Sequence, residues 1–193
     1  MKVLLGITGS VAAVLGPKIV KAFEGDEVRV VTTKAADFFL RSIDSARSMS
    51  RHPMDPRGLS LGGAEIVYET DEWRWRKIGD PILHIDLRDW MDVMVIAPLS
   101  ANTLGKMANG ICDNLLLSVW LASGQKPVVV APAMNVQMWL HPAVERNLQT
   151  LRDMDVLIVD PVDKRLACGE QGNGAMAPID RIVKEANRVG WKT

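Results

Sequence analysis

The sequence predicts an open α/β fold in which a doubly wound parallel sheet carries helices on both faces. Several short runs of Val, Leu and Ile lack polar alternation, which is typical of strands buried on both sides of a parallel sheet. Stretches with helical spacing separate these runs, and such βα alternation is the pattern of parallel sheets. A length of 193 residues, 48% of them apolar, suits a single domain over residues 1–193.

Six strands are predicted from the apolar runs. Each run stops at a glycine, a proline or a polar residue, where a strand gives way to a turn. The predicted strands cover residues 2–8, 28–32, 64–68, 93–97, 127–131 and, as the last strand, 156–159.

Helices are predicted where a capping residue or a proline precedes a stretch with helical spacing. Ser10 is a good cap for a first helix that reaches about residue 23. Asp80 followed by Pro81 is a strong start for another helix, because proline is favoured at the first helical position. The remaining helices are predicted over residues 35–40, 115–122, 142–151 and 178–190.

Two segments are predicted to be irregular. Residues 41–63 show little periodicity, and a loop of this length in a compact domain is usually functional or mobile. Residues 164–177 include three glycines, which make a pliable loop that can close over a ligand. We therefore expect a mobile loop over residues 41–63 and a closing loop over residues 164–177.

Charge and composition exclude several classes of protein. The formal net charge is zero and the isoelectric point is about 6.8, so a nucleic-acid-binding surface is not expected. No apolar stretch approaches the roughly 20 residues of a membrane helix, and the start does not resemble a signal peptide. Two cysteines far apart in sequence form no disulfide framework, which fits a reducing cytoplasm. No metal is expected.

The turn after the first strand is a candidate anion site. Gly9 lets backbone amides approach a ligand, and Ser10 and Val11 open the following helix, whose N-terminus favours an anion. The pattern is neither Gly-x-Gly-x-x-Gly nor a Walker loop, so a single phosphate fits better than a dinucleotide or a nucleoside triphosphate. Thr33 and Lys34, at the end of the second strand, are placed to contact the same phosphate. The alternative is an ordinary capped turn with a solvated lysine.

Small polar residues follow the fourth strand at the edge where such sheets bind ligands. The segment Ser100, Ala101, Asn102 and Thr103 offers hydroxyl and amide groups. These groups suit a planar polar ring that needs several directed hydrogen bonds. The alternative is a turn that ends in an N-cap.

The segment after the fifth strand is the most distinctive part of the chain. Asn135 is a candidate for a positioned hydrogen-bonding group, and Met134 and Met138 are candidates for the soft walls of a pocket. The alternative is a strand-to-helix turn with methionines in the core.

Five segments resemble the flavin-dependent cysteine decarboxylases. Residues 132–139 contain Pro-x-Met-Asn-x-x-Met-Trp, which is similar to the signature of that family. The other similar segments are Thr8-Gly9-Ser10-Val11-Ala12-Ala13, His84-Ile85-Asp86-Leu87, residues 97–114 and residues 166–176.

The resemblance implies a flavodoxin-like or Rossmann-like fold that binds FMN. In such a fold the phosphate and the flavin ring bind at the carboxyl ends of the strands. The residues implied to bind FMN are Gly9, Ser10, Val11, Thr33, Lys34, Ser100, Ala101, Asn102, Thr103 and Ala133.

The resemblance also implies a catalytic set. The flavin oxidises the CH₂–SH of a cysteine to a thioaldehyde, which accepts the electrons released with CO₂. His84 would be the base that assists the oxidation, and Cys168 would protonate an intermediate from a clamp loop over residues 164–177. The residues implied to contact the substrate are Asn135, Met138, Arg88, Ala167 and Gly169.

Spacing alone does not indicate a functional role for His84. It puts this side chain off the core face of its helix, where a histidine is often merely solvated. The family forms trimers with active sites at subunit contacts, and this implies a homo-oligomer in which His84 faces a neighbouring subunit. One departure lies nearby. Asp89 stands where the family pattern has a basic residue, and Arg88 is the candidate to take that role.

The clamp cysteine distinguishes the two branches of the family. Enzymes that modify peptides stop at the ene-thiol and do not need this cysteine. Cys168 with its glycine-rich flanks therefore implies the branch that converts 4′-phosphopantothenoylcysteine to 4′-phosphopantetheine in coenzyme A biosynthesis. The alternatives are a peptidyl-cysteine decarboxylase, or a regulatory subunit of the same fold that inhibits a protein phosphatase. The lack of an acidic tail after Gly190 favours an enzyme over the regulator.

Overall fold

The computed structural model describes residues 1–44, 61–167 and 169–190. The loop predicted over residues 41–63 lies mostly outside the described residues. Cys168 also lies outside them, so its predicted role stays an inference from the sequence.

Six parallel strands form one open sheet, as predicted. The strands are β1 (Lys2–Ile7), β2 (Glu27–Thr32), β3 (Glu65–Val67), β4 (Val93–Leu99), β5 (Val128–Pro132) and β6 (Leu157–Ile158). Their order across the sheet is β3-β2-β1-β4-β5-β6. This is the Rossmann order rather than the flavodoxin order of doubly wound sheets, and its switch point lies between β1 and β4.

Helices cover both faces of the sheet. They are α1 (Gly16–Ala22), α2 (Lys34–Asp44), α3 (Leu83–Trp90), α4 (Ala101–Ala108), α5 (Leu115–Ala122), α6 (Val136–Trp139), α7 (Pro142–Asp153) and α8 (Ile179–Gly190). Helices α1, α2 and α8 pack on one face, and α3, α4, α5 and α7 pack on the other.

The two faces explain the unbroken apolar strands. In β1, Val3 and Leu5 belong to one core cluster, whereas Leu4 belongs to the other. Successive side chains of a strand point to opposite faces, so a strand covered on both sides needs apolar residues at every position. All seven residues of β4 are buried for this reason.

The helix predicted from Ser10 to residue 23 is two elements. A 3-10 helix over Val11–Leu15 precedes α1, which begins at Gly16 with Pro17 in its first turn. A Cβ atom on Gly16 would lie 3.0 Å from the side chain of Ile7 and 3.1 Å from that of Leu40. The close approach of this turn to the core therefore favours a glycine.

The helix start predicted at Asp80 and Pro81 is wrong. Helix α3 begins at Leu83. The carboxylate of Asp80 instead accepts hydrogen bonds from the backbone N–H groups of Arg76 and Lys77, at 2.9 and 3.0 Å. It closes the preceding turn, and an Asp-Pro pair serves a turn as readily as a helix.

The strand at residues 157–158 is not the last one. Strands β7 (Val162–Arg165) and β8 (Gln171–Ala175) form an antiparallel hairpin after it. Much of the segment predicted as a pliable loop over residues 164–177 is therefore ordered strand. In the described parts of the chain, no helix is long and apolar enough to cross a membrane.

Asp37 in α2 gives a prediction about stability. Its Oδ1 atom is buried and has no hydrogen-bond partner among the described residues. Burial raises the pKa of this carboxyl, and a hydrogen bond with Thr32 and the charge of Arg41 oppose the rise only in part. The pKa of Asp37 is higher in the folded chain than in the unfolded chain. The contribution of this carboxyl to the stability of the fold is therefore complete below the unfolded pKa and is lost as pH rises through the folded pKa.

We therefore expect Asp37→Asn to raise the free energy of unfolding at neutral pH. The gain should shrink as pH falls towards about 4, where the unfolded carboxyl is itself protonated. Denaturant midpoints at the two pH values measure the difference. Asp180→Asn is the matched control, because Asp180 is an exposed acidic residue in the first turn of α8. A gain for Asp37→Asn that does not depend on pH would contradict the prediction.

Candidate active site

The candidate site lies at the carboxyl ends of β1, β4 and β5. The chain leaves β1 towards one face of the sheet and leaves β4 towards the other, so a crevice opens between them. Thr8 ties the two strand ends together. Its buried Oγ1 donates to the carbonyl of Pro98 and accepts from the N–H of Ser100, both at 2.7 Å. This role of Thr8 in joining the two strand ends was not predicted from the sequence.

The turn after β1 has the close backbone approach that was predicted. A Cβ atom on Gly9 would lie 2.4 Å from the Cβ of Ala35 in α2, so only glycine fits there without displacement. The hydroxyl of Ser10 donates to the carbonyl of Ala133 at 3.1 Å and accepts from the N–H of Ala12 at 3.4 Å. Ser10 thus caps the 3-10 helix and joins the turn to the end of β5.

The hydroxyl groups after β4 are largely used within the protein. Ser100 caps α4 by accepting from the N–H of Thr103 at 3.3 Å, and the two hydroxyl groups are 3.2 Å apart. Ser100 and Thr103 are 7% and 3% exposed. The N-cap alternative describes both side chains. Asn102 is exposed, and Ala101 is half-buried and packs against the core of one face of the sheet.

Four backbone amides at these ends are available to a ligand. Among the described residues, the N–H groups of Gly9, Val11, Ala101 and Asn102 have no protein acceptor. Unpaired amides at the start of a helix attract anions and polar acceptors. The crevice therefore fits a ligand that has both a phosphate and a ring with polar edges.

Thr33 and Lys34 lie at the end of the neighbouring strand. The Oγ1 of Thr33 accepts from the N–H of Ala36 at 3.3 Å and starts α2. The side chain of Lys34 is 88% exposed, and its Nζ lies 3.8 Å from Glu69 Oε1. Both residues stand beside the β1 turn, with Lys34 directed towards Glu69.

The segment after β5 brings Asn135 to the same edge. The backbone N–H of buried Ala133 donates to the carbonyl of Leu99 at 3.0 Å. Asn135 Oδ1 caps α6 by accepting from the N–H of Gln137 at 2.8 Å. Its Nδ2 donates to the carboxylate of Glu170, a contact that was not predicted. Met138 is half exposed beside it and is not a core residue.

The hairpin places the clamp against Asn135. The N–H of Met134 donates to the carbonyl of Gly174 in β8 at 3.0 Å. At the turn of the hairpin, Ala167 and Gly169 are exposed, and the N–H of Gly169 donates to the carbonyl of Leu166 at 2.9 Å. Gly169 has a φ of +90°, which favours glycine. The structure thus brings the predicted substrate contacts Asn135, Met138, Ala167 and Gly169 to one rim.

Gly174 gives a prediction about this rim. A Cβ atom there would lie 2.4 Å from the carbonyl oxygen of Met134, a backbone atom that cannot rotate away. We expect Gly174→Ala to push β8 off residues 134–135, to lower the free energy of unfolding by about 1–3 kcal/mol and to weaken substrate binding. Thermal unfolding and substrate titration measure the two effects. Asn173→Ala, at an exposed position of the same strand, is the control. Equal unfolding temperatures and equal substrate affinities of Gly174→Ala and Asn173→Ala would contradict the prediction.

His84 stands apart from these residues. It lies in the first turn of α3, and its Nδ1 contacts the carboxylate of Glu72. Its side chain is 28% exposed, so part of it remains accessible. Arg88, one turn later, has Nε 2.8 Å from Asp89 Oδ1. Asp89, which stands where the family pattern has a basic residue, thus forms an ion pair with Arg88.

Comparisons with known proteins extend the likeness over the whole chain. The profile of the Flavoprotein family matches residues 1–189. Phosphopantothenoylcysteine decarboxylase of Arabidopsis thaliana is 46% identical over 196 residues, which cover 100% of this chain and 86% of that protein.

Two solved structures show the same likeness. A cysteine-to-serine mutant of phosphopantothenoylcysteine decarboxylase, complexed with pantothenoylaminoethenethiol, superimposes with a TM-score of 0.85 at 43% identity, over 100% of this chain and 98% of that one. The FMN-binding protein AtHal3 gives a TM-score of 0.81 at 45% identity, over 99% and 96% of the two chains.

Proposed function

The chain belongs to the flavoprotein family, and from this premise we propose that it decarboxylates 4′-phosphopantothenoylcysteine to 4′-phosphopantetheine in coenzyme A biosynthesis. The reaction is that of a carbon–carbon carboxy-lyase with FMN as cofactor. The observation that carries the proposal is the full-length similarity to a phosphopantothenoylcysteine decarboxylase solved with pantothenoylaminoethenethiol. The arrangement of Asn135 beside the clamp hairpin supports it.

The residues of the crevice fit FMN. The free amides of Gly9 and Val11, with Ser10, Thr33 and Lys34, would hold the phosphate end. The amides of Ala101 and Asn102, with Ser100, Thr103 and Ala133 behind them, would hold the ring. FMN supplies the oxidation of the substrate CH₂–SH and the later return of the hydride.

The protein supplies binding and proton transfer. His84 acts as the base that assists the oxidation. Asn135 orients the amide and the carboxylate of the substrate. Its Nδ2 donates to the Glu170 carboxylate, and this contact of the amide with a carboxylate supports the assignment. Cys168 donates the proton that completes the saturated thiol.

The other proposed contacts surround these groups. Met138 forms a soft wall, and Ala167 and Gly169 contact the substrate from the clamp. Arg88 takes the place of the basic residue that the family pattern has where this chain has Asp89. The assignments of Met138, Ala167 and Gly169 rest on the resemblance and on their positions at the same rim as Asn135, whereas that of Arg88 rests on the resemblance alone.

The active enzyme is a homo-oligomer, and a trimer is the form that we expect. Two separate apolar surfaces support this. Trp73, Ile78 and Ile82 are 74%, 94% and 45% exposed on the side of His84, and Met138 and Leu140 are 47% and 66% exposed beside Asn135. Two different patches on one chain suit a head-to-tail contact that closes into a ring. Such a contact would bring His84 of one subunit to the crevice of the next.

We place the enzyme in the cytoplasm. The support is the sequence, whose two cysteines are far apart and include a proposed proton donor that must stay reduced.

A comparison of two substrates tests the proposed function. Purified protein with FMN is given 4′-phosphopantothenoylcysteine or a peptide that ends in cysteine, at equal concentrations. We expect a higher kcat/KM for 4′-phosphopantothenoylcysteine. A preference for the peptide would place the chain in the peptide-modifying branch, and no turnover of either would favour a regulatory role.

A further inference from the structure

Both carboxylate oxygens of Glu72 contact the same residue, His84. Oε1 contacts the ring Nδ1, and Oε2 accepts from the backbone N–H of His84 at 3.1 Å. The side chain of Glu72 is 15% exposed, so the contact is partly shielded from water. A carboxylate in this position holds both the backbone and the ring of the proposed base.

One half of this contact has an ordinary structural explanation. Helix α3 has Ile82 as its N-cap, which makes no side-chain hydrogen bond. The first amides of a helix need acceptors, and a negative charge there is favourable. Glu72 Oε2 therefore caps α3 from outside the helix. Capping does not account for Oε1, which reaches past the backbone to the imidazole.

The segment of backbone that carries Glu72 is itself held in place. Glu72 lies in a 3-10 helix over Glu69–Arg74. The start of this helix is closed by Asp71, which accepts from the N–H of Tyr68 at 3.3 Å and donates its own N–H to the carbonyl of Tyr68 at 2.9 Å. Among the other charged residues of α3, Asp86 is exposed and Arg88 is bound to Asp89. Glu72 is thus the carboxylate that faces the ring.

The contact selects one tautomer of the imidazole. An ionised carboxylate can only accept a hydrogen bond, so the neutral ring must carry its proton on Nδ1. The lone pair is then on Nε2, the atom that points away from Glu72. The same carboxylate stabilises the imidazolium that forms when Nε2 takes a proton. Carboxylates orient functional histidines in this way at metal and hydrolytic sites.

We propose that Glu72 is a positioning residue that fixes the orientation and tautomer of His84. The inference rests on the proposed function, in which His84 is the base. It goes beyond that function because Glu72 belongs to neither the FMN-binding nor the substrate-binding set.

The direct test is ¹⁵N NMR of the imidazole groups in the FMN-loaded protein at a pH where the rings are neutral. The chain has three histidines, and the spectrum of His84→Asn identifies the signals of His84. We expect the Nδ1–H tautomer in the wild type. In Glu72→Gln the amide has one acceptor oxygen for two donors, so the Nε2–H tautomer should become populated.

Kinetics provide the second readout. We expect Glu72→Gln to lower kcat about 10- to 100-fold, as the loss of an orienting carboxylate does elsewhere, with little change in KM or FMN content. In a His84→Asn background the same substitution should add no further loss. Glu65→Gln is the matched control, since its carboxylate pairs with Arg29 on the neighbouring strand.

Two results would overturn the proposal. One is an unchanged tautomer in Glu72→Gln. The other is a fall in activity that equals the loss of folded protein or of FMN, because Glu72 would then be a helix cap only. Failure of the proposed function looks different, because in that case the wild type shows no turnover while the NMR measurement still reports the orientation of the ring.

Discussion

Replacing His84 by asparagine is expected to lower kcat about 100- to 10,000-fold, the usual cost of losing a general base. Asparagine can still donate a hydrogen bond to Glu72, but it cannot accept the substrate proton at neutral pH. FMN content and the unfolding temperature should stay near those of the wild type, because His84 lies outside the FMN-binding set. Steady-state turnover and the rate of flavin bleaching after substrate addition measure the effect.

His141→Asn is the matched control for this substitution. His141 caps α7 by accepting from the N–H of Ala143 at 3.1 Å, and asparagine is also a good cap. The control should retain wild-type turnover. A His84→Asn variant that retains it as well would contradict the assignment of His84 as the base.

The same variant tests whether the site is shared between subunits. His84→Asn and Asn135→Ala chains, each inactive alone, are unfolded together, mixed in equal amounts and refolded with FMN. If each active site combines His84 of one chain with Asn135 of the next, half of the sites have an intact His84 and half of those also have an intact Asn135. About a quarter of the sites in random trimers are then intact. Activity near that fraction is expected. No recovery in mixed trimers would mean that each chain supplies both residues to its own site.

Cys168→Ser is expected to change the product rather than abolish CO₂ release. In the proposed mechanism, decarboxylation precedes the step that needs a proton from Cys168, and a serine hydroxyl is a much weaker acid than a thiol. The variant should therefore release the ene-thiol, which is lighter than 4′-phosphopantetheine by two hydrogens, and the two hydrogens would remain on the reduced flavin until oxygen reoxidises it. Mass spectrometry of the product distinguishes the two compounds.

Cys112→Ser is the control for Cys168→Ser. Cys112 is exposed and belongs to no proposed contact. This control should form 4′-phosphopantetheine as the wild type does. Saturated product from Cys168→Ser would assign the proton to another donor, and ene-thiol from the wild type itself would make Cys168 a bystander.

The sheet could be predicted from the sequence because its strands are buried on both faces. An unbroken apolar run such as Val3, Leu4 and Leu5 is enough by itself to indicate such a strand. The β7–β8 hairpin carries no such signal. Its strands, Val162–Arg165 and Gln171–Ala175, are polar or rich in glycine, and backbone pairing holds them. Two of the glycines that suggested a pliable loop are required by contact, because a Cβ atom on Gly172 would meet Val136 and one on Gly174 would meet the carbonyl oxygen of Met134.

The candidate site was predictable where it follows strand ends. Gly9, Ser100 and Asn135 come directly after β1, β4 and β5, and the carboxyl ends of parallel strands meet at one edge. Glu72 and Glu170 were missed because their contacts join turns to distant residues. Glu72 is twelve residues before His84, and Glu170 is thirty-five after Asn135. An acidic residue in the short 3-10 helix that precedes the helix with the candidate base is the signal that could have indicated Glu72.

The decarboxylation itself is the central claim, and one measurement tests it most directly. FMN-loaded wild-type protein is incubated with 4′-phosphopantothenoylcysteine that carries an isotopic label in its carboxylate, and labelled CO₂ and thiol product are counted together. We expect one labelled CO₂ for each molecule of 4′-phosphopantetheine formed, with no net consumption of an oxidant. No labelled CO₂ above that of a protein-free control would contradict it.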